Sequence, residues 1–245
     1  MKLFYHVGRY FILLGHMFSR PERLSMYWKE TMRQMNDIGV GSLSIVAMIS
    51  FFIGAVTAVQ TAFQLLGSFI PQYYVGYIVR DTMLLELAPT ISCLVLAGKV
   101  GSNLASELGT MRISEQIDAL EIMGVNTSAY LVMPKVVAAL ITIPMLVIFS
   151  AGLGMAGGYA AVASAPQLEL SAYIKGLKVW FDPFYVTIML SKSVVFAFLL
   201  TTISCYMGYF VKGGALDIGK ASTRAVVASS VMILIADYIL ALLLT

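Results

Sequence analysis

The chain alternates between long apolar runs and short polar segments. No charged residue occurs in residues 38–79, 136–168 or 193–211. Two further apolar runs contain isolated charges. Because a helix needs roughly 20 apolar residues to cross a bilayer, and because helices satisfy their own backbone hydrogen bonds there, the pattern predicts an all-α membrane protein. Its five transmembrane helices are predicted at about residues 40–66, 82–103, 134–162, 184–211 and 225–244.

The first 36 residues are amphipathic rather than uniformly apolar. Large apolar side chains share one helical face, namely Leu3, Val7, Phe11, Leu14 and Phe18. The other face carries Lys2, His6, Arg9, His16 and Arg20. This pattern predicts a helix that lies in the membrane interface, ended by Pro21. A cleaved signal peptide is the alternative, but Arg9 interrupts the apolar region that such a peptide needs. We therefore divide the chain into an interfacial helix and elbow, 1–36, and a membrane domain, 37–245.

Composition and charge set the orientation. The chain is 59% hydrophobic and only 12% charged, and its mean hydropathy is +0.86. Among lysines and arginines, only Arg80, Lys175 and Lys178 fall in loops on one side, and all the others except Lys192 fall on the opposite side. Since positive loops stay cytoplasmic, we predict a cytoplasmic N terminus and a C terminus on the outer side. A short helix is expected in the outer loop near residues 168–177.

One compact polar segment separates the second and third spans. Ser114 is placed to cap a helix, with Glu115 and Asp118 near its positive end and Gly124 just after its last turn. Ile113, Ile117 and Leu120 fall on one face. We predict an amphipathic helix at about 107–123 on the cytoplasmic side. It is either a solvated surface helix or one that a partner's groove receives.

Several kinds of chemistry lack their residues. The sequence has no G-x-x-x-x-G-K-[ST] loop for ATP, and both histidines lie in the N-terminal helix. Cys93 and Cys205 fall inside apolar runs, and no spacing resembles a metal site. We predict that the chain is not an enzyme on its own and holds no catalytic residue, metal or cofactor. The small positive charge is that of a membrane surface rather than of a nucleic-acid partner.

Three charged residues fall inside predicted spans and away from their cytoplasmic ends. They are Glu86, Lys192 and Asp237, and the topology places all of them in the outer half of the membrane. Charges there are costly and usually functional. We predict a polar cluster that lines a cavity. A buried network that only fixes helix register is the alternative, and both interpretations can hold together.

The longest polar motif resembles a known family. Residues 97–124, AGKVGSNLASELGTMRISEQIDALEIMG, are similar to the central motif of the MlaE family of ABC transporter permeases, which maintain outer-membrane lipid asymmetry. The resemblance extends from about Arg20 to the end, with further matches at residues 86–89, 192–197, 223–227 and Asp237. One departure is Leu85, which stands where family members often have arginine.

The resemblance implies an assembly and its sites. Two copies pair in the bacterial inner membrane, with the N terminus cytoplasmic and the C terminus periplasmic. A cytoplasmic ATPase, which uses ATP, docks on the coupling helix, and a periplasmic ring of MCE-domain proteins carries phospholipid. Phospholipid is expected in a cavity lined by Gln60, Gln64, Leu65, Leu66, Glu86, Lys192 and Asp237. The residues expected to bind the ATPase are Glu107, Thr110, Met111, Arg112, Glu115, Gln116, Asp118 and Leu120.

Two other functions are compatible with the spans. A secondary transporter would move protons through Glu86, Lys192 and Asp237, although five spans without an inverted repeat are unusual for one. A scaffolding subunit would have no transport pathway, and its intramembrane charges would be replaceable by apolar residues. The motif leaves open the lipid headgroup, the direction of transport and the consequence of Leu85.

Overall fold

The computed structural model describes residues 2–17, 24–65, 70–165 and 169–244, and these ranges contain helices and no strand. Five helices are long and apolar enough to cross a membrane: Tyr27–Leu65, Tyr73–Ile113, Thr127–Ser164, Phe184–Tyr209 and Ala215–Leu244. The predicted number of spans is confirmed. Four of the helices are longer than predicted, because polar residues at their ends continue the helix beyond the apolar run.

The elements follow one another with short connections. In chain order they are α1 (Lys2–Met17), α2 (Leu24–Met35), π1 (Asn36–Val40), α3 (Gly41–Leu65), α4 (Tyr73–Thr82), π2 (Met83–Ile91), α5 (Ser92–Leu96), π3 (Ala97–Gly101), α6 (Ser102–Ile113), α7 (Gln116–Ile122), α8 (Thr127–Ser164), α9 (Leu170–Lys178), α10 (Phe184–Tyr209) and α11 (Ala215–Leu244).

The second long helix, Tyr73–Ile113, is continuous, but two segments within it are π-helical instead of α-helical. We call this helix the rod. It runs from α4 to α6 through the π-helical segments π2 and π3. Pro89 lies inside π2. Proline has no backbone N–H to donate, so it interrupts the α-helical hydrogen-bond pattern, and a wider turn is one way for a helix to continue past it.

Glycines let α3 and α8 approach closely. A Cβ atom on Gly54 would overlap the backbone of Gly154, and one on Gly157 would overlap the backbone carbonyl of Phe51. Close backbone contact is the usual way for membrane helices to gain packing energy.

We expect Gly157→Ala to destabilise the protein because its methyl group would push α3 away from α8. The free energy of unfolding in mixed micelles should fall by about 1–3 kcal/mol, the range of overpacked cores. Gly152→Ala is the matched control, since a Cβ on Gly152 meets open space in the same helix. The control should be neutral or slightly stabilising. Equal effects of the two changes would contradict the packing argument.

The polar segment after the second span folds differently from the prediction. The rod continues to Ile113, so residues 107–113 belong to it. Ser114 ends that rod instead of capping the next helix, because its hydroxyl donates to Thr110 O at 2.8 Å. The chain then turns at Glu115, which has a φ of 58°, and α7 has only seven residues. Gly124, with a φ of 80°, follows α7 as predicted.

The N-terminal and loop helices form close to the predicted positions. The loop helix is α9, and α1 covers most of the predicted amphipathic helix. Leu13 and Met17 of α1 are buried, whereas Phe4 and Phe11 are exposed. Phe18, Arg20 and Pro21, and the side chains of Lys2 and Leu3, lie outside the described residues. The placement of α1 in a membrane interface stays a prediction.

Candidate functional site

Lys192 joins three spans through a buried ion-pair cluster. Its Nζ lies 2.7 Å from Glu86 Oε1 and 2.8 Å from Asp237 Oδ1. Its side chain is 1% exposed. A buried lysine is tolerated only with partners of opposite charge. The structure therefore brings together the three charges that the sequence predicted as a cluster. We call them the charge triad.

Local helix geometry builds the charge triad. Glu86 lies in π2, and Lys192 also donates to the backbone O of Leu85 at 3.0 Å. The hydroxyl of Thr90 donates to Asp237 Oδ2 at 3.0 Å. Leu85 thus contributes its backbone carbonyl to the lysine. The arrangement fixes α10 and α11 against π2.

Exposure differs sharply within the charge triad. The Asp237 side chain is 15% exposed, whereas that of Glu86 is 45% exposed. The charge triad has two carboxylates and one ammonium group, so it is formally anionic. Glu86 is consequently the member that a ligand can reach, and Lys192 holds it in place from the buried side.

The predicted lining of α3 is separate from the charge triad. Gln60 and Gln64 are exposed and Leu65 is partly buried. No hydrogen bond or ion pair joins either glutamine to Glu86, Lys192 or Asp237. The glutamines share the outer surface of α3 with exposed apolar side chains, including Phe52, Val56 and Phe63. Leu66 lies outside the described residues, and the role of the set in lipid binding stays a prediction.

The opposite end of the rod is tied to α7 and α8. Arg112 pairs with Asp118 at 2.6 Å. Lys135 of α8, with a side chain that is 3% exposed, pairs with Glu107 at 2.6 Å. Two of the predicted ATPase contacts, Arg112 and Asp118, thus bind each other, and Glu107 has a partner within the chain.

Glu121 extends this network to α10. Its Oε1 accepts from Thr127 at 3.1 Å and from Tyr209 at 3.0 Å, and those two hydroxyls lie 2.6 Å apart. Short polar contacts therefore join α7 to α6, α8 and α10.

The apolar ridge predicted on this helix is directed inwards. Ile117 is 0% exposed, and Ile113, Met111 and Leu120 are partly buried. The chain turns at Glu115, so Ile113 and Ile117 lie on two separate helices. They therefore do not form one continuous apolar ridge.

Other side chains form the surface at this end. Thr110, Glu115 and Gln116 are exposed, as predicted for partner contacts. Ile122 and Met123, which sequence reasoning missed, are 88% and 68% exposed. We call Glu115, Gln116, Ile122 and Met123 the α7 tip. Its acid and amide stand at the start of α7 and its two large apolar side chains at the end, and such a mixture of exposed polar and apolar side chains is compatible with a protein-binding surface.

The charge triad and the α7 tip are separated along the second long helix by a stretch of at most about 40 Å. From Glu86 to Ile113 the rod contains 27 further residues, and each residue of a helix adds roughly 1.5 Å. The charge triad and the α7 tip therefore lie towards opposite ends of one helical rod.

Sequence reasoning also missed two buried polar features. Arg80 is 1% exposed, donates to the carbonyls of Leu177 and Val179 at the end of α9 and pairs with Asp81. Three buried hydroxyls connect three helices: Ser50 and Ser92 lie 2.7 Å and 2.9 Å from the Oγ of Ser150. Arg80 had been counted only as a loop charge. The sequence feature that could have indicated its burial is its position beside aromatic residues at the start of a span.

Metal chemistry has no evident place in the part of the chain that is described. No group of three or more histidine, cysteine, aspartate or glutamate side chains there is placed to hold a metal ion.

Comparison with known proteins points to a single family. The family model described as Permease MlaE matches residues 31–243. A "Probable ABC transporter permease protein" of Rickettsia bellii is 36% identical over 98% of this chain and 92% of its own length. The "Probable ABC transporter permease protein slr1045" of Synechocystis is 32% identical over 96% and 89%. The chloroplastic "Protein TRIGALACTOSYLDIACYLGLYCEROL 1" of Arabidopsis thaliana is 31% identical over 94% and 65%.

Proposed function

The chain belongs to the MlaE permease family, and from this premise we propose that it moves phospholipid between the bacterial inner membrane and a periplasmic MCE-domain carrier. As the membrane-spanning permease subunit of an ABC transporter, it would not hydrolyse ATP itself. A separate cytoplasmic ATPase supplies that reaction.

The observation that carries the lipid substrate is the charge triad. A half-exposed carboxylate, held by a fully buried lysine, gives a membrane helix a polar contact for a headgroup without placing an unpaired charge in hydrocarbon. The exposed apolar side chains of α3 suit acyl chains. The relative from Arabidopsis, named after a diacylglycerol glycolipid, supports a lipid substrate as well.

The surface of α11 supports pairing of two copies. Only Ala225, Ser229 and Ile233 of this helix are buried, and they form one narrow stripe. The other residues of α11 include the exposed apolar side chains of Val227, Val231 and Tyr238. We propose that a second copy covers part of this surface, that the lipid cavity lies between the copies, and that the charge triad faces it near the MCE-domain ring.

Transmission from ATP to lipid would follow the rod. Closure of the ATPase would displace the α7 tip, and the pairs Arg112–Asp118 and Lys135–Glu107 would carry the displacement to α6 and α8. The same rod contains Glu86 in π2. Its two π-helical segments are points at which such a helix can change its winding.

The test is lipid transfer by a complex that contains Glu86→Lys. This change places two ammonium groups side by side, and we expect phospholipid transfer to fall at least about ten-fold while the ATPase stays bound. A ten-fold fall corresponds to roughly 1.4 kcal/mol. Repulsion between two adjacent ammonium groups is sufficient to supply that energy. Asp237→Asn should have a milder effect, because the amide still accepts a hydrogen bond from Thr90.

Glu169→Lys is the matched control, since Glu169 is an exposed acid on the same side of the membrane by the proposed topology. Mass spectrometry of the purified complex should also detect bound phospholipid. Absence of lipid, together with full transfer by Glu86→Lys, would refute the proposal. Transfer that follows a proton gradient and needs no ATP would favour the secondary transporter instead.

A further inference from the structure

A cavity lies at the α7 end of the molecule, and residues of α1, of the end of α10 and of the start of α11 line it. It has a volume of about 450 Å³, within the range of small-molecule sites. Four cationic side chains and one carboxylate line it: Arg9, Lys212, Lys220, Arg224 and Asp217. We call it the basic cavity. It shares no residue with the charge triad or with the α7 tip.

The single acid of the basic cavity is already occupied. Asp217 Oδ1 pairs with Lys220 at 3.1 Å, and its Oδ2 accepts from the backbone N of Gly214 at 3.2 Å. Gly213 makes this turn possible, because it has a φ of 119° and a Cβ there would overlap the carboxylate. Among the described residues, no ion pair involves Arg9, Lys212 or Arg224. With four cations and one carboxylate in its lining, the basic cavity therefore carries a net positive charge.

Specific side-chain contacts hold α1 against the end of α10, where α1 forms one wall of the basic cavity. The guanidinium carbon of Arg9 lies 3.7 Å from the centre of the Phe210 ring. His6 Nδ1 lies 2.9 Å from the hydroxyl of Tyr206, and the Tyr10 hydroxyl lies 2.7 Å from that of Thr202. Stacking on an aromatic ring orients a guanidinium group and leaves its N–H donors available to an anion.

Apolar surface adjoins the cations. Tyr5 of α1, which lines the basic cavity, is 63% exposed, and Leu216 at the start of α11, beside Lys220 and Arg224, is 75% exposed. A free phosphate ion needs no such surface, whereas a phospholipid presents a phosphate group together with acyl chains. The combination favours a lipid over a soluble anion.

We propose that the basic cavity binds the phosphate group of an anionic phospholipid in the cytoplasmic leaflet. The ligand anchors α1 to α11 there and is distinct from the lipid that is transported. The choice of leaflet depends on the orientation in the proposed function, but the binding chemistry does not.

The test measures lipid binding to the full-length purified protein by native mass spectrometry, with phosphatidylglycerol and phosphatidylcholine as probes. Lys212→Gln combined with Arg224→Gln should weaken phosphatidylglycerol binding about ten- to thirty-fold. Each cation near a membrane surface contributes about ten-fold or less to the affinity for an anionic lipid. Binding of phosphatidylcholine should change less than two-fold. Both residues are exposed, so the double variant should fold. Arg9→Gln tests the α1 wall separately and should act in the same direction.

Lys29→Gln combined with Arg33→Gln is the matched control. It removes two exposed cations from the same side of the membrane by the proposed topology, outside the basic cavity. This control should leave phosphatidylglycerol binding within two-fold. Phospholipid transfer by the assembled complex should stay within two-fold in the cavity variants, because Lys212 and Arg224 lie outside the charge triad, so failure of this proposal can be separated from failure of the transport proposal.

Three outcomes would overturn the inference. The first is equal phosphatidylglycerol binding by the cavity variants and by the control. The second is full displacement of the lipid by soluble glycerol phosphate at equal concentration, which would indicate a site for free phosphate esters. The third is loss of the ATPase from the cavity variants with unchanged lipid binding, which would indicate a protein-docking surface.

Discussion

Lys192→Met is expected to lower the free energy of unfolding by about 3–5 kcal/mol, the typical cost of removing one partner from a buried ion pair. Methionine has a similar volume, so packing should change little. The loss instead follows from Asp237, whose side chain is 15% exposed, and Glu86, which lose their buried counter-ion together. Unfolding in mixed micelles provides the measurement. Lys178→Met, at an exposed lysine of α9, is the control and should be nearly neutral.

A triple variant separates charge from packing. Lys192→Met combined with Glu86→Gln and Asp237→Asn leaves no unpaired charge, so most of the lost stability should return, since replacing a whole buried network is often nearly neutral. Lipid transfer should stay low in the triple variant if Glu86 contacts the substrate. Full stability of Lys192→Met alone would show that the triad is not a tight buried network. Full transfer by the triple variant would show that the charge triad only fixes the helix register.

The hydrophobic pattern was enough to predict the spans and the charge triad. Apolar runs are long because the bilayer is thick, so their number survives any uncertainty about helix ends. The depth of Glu86, Lys192 and Asp237 in those runs brought them to one level, and the scarcity of charge elsewhere left them as each other's partners. Their distances and the half-exposure of Glu86 required the packed structure, because both depend on which helices are neighbours.

The polar segment shows where sequence patterns are insufficient. Periodicity placed Ile113, Ile117 and Leu120 on one helical face, which assumes an unbroken helix. A single residue, Glu115, adopts a left-handed conformation that is uncommon for a non-glycine side chain, and no propensity predicts it there. This turn directs Ile117 into the protein and leaves Ile122 and Met123 outside. Lys135 lies at the cytoplasmic start of the third predicted span, and its burial by a partner 28 residues away is a tertiary effect that no local pattern shows.

The exposed tip of α7 leads to the second prediction. Ile122→Glu combined with Met123→Glu should abolish binding of the ATPase. We propose that these two residues are the hot spots of the interface, and since loss of a hot spot costs about 2 kcal/mol or more, binding should weaken by at least about a hundred-fold. Neither side chain packs in the protein, and the unfolding free energy should change by less than about 0.5 kcal/mol. Co-purification and ATPase titration of the assembled complex measure the two effects.

Two controls make the assignment specific to the α7 tip. Leu216→Glu introduces the same charge at an apolar side chain that is 75% exposed and lies at the same end of the molecule, and it should leave the ATPase bound. Asp118→Asn weakens the Arg112–Asp118 pair without changing the tip. In the proposed route that pair transmits motion rather than making the contact, so this variant should still bind the ATPase but couple ATP hydrolysis to lipid transfer less efficiently. Unchanged ATPase binding by the Ile122 and Met123 variant would show that the ATPase docks elsewhere, and the proposed route through α7 would then be wrong.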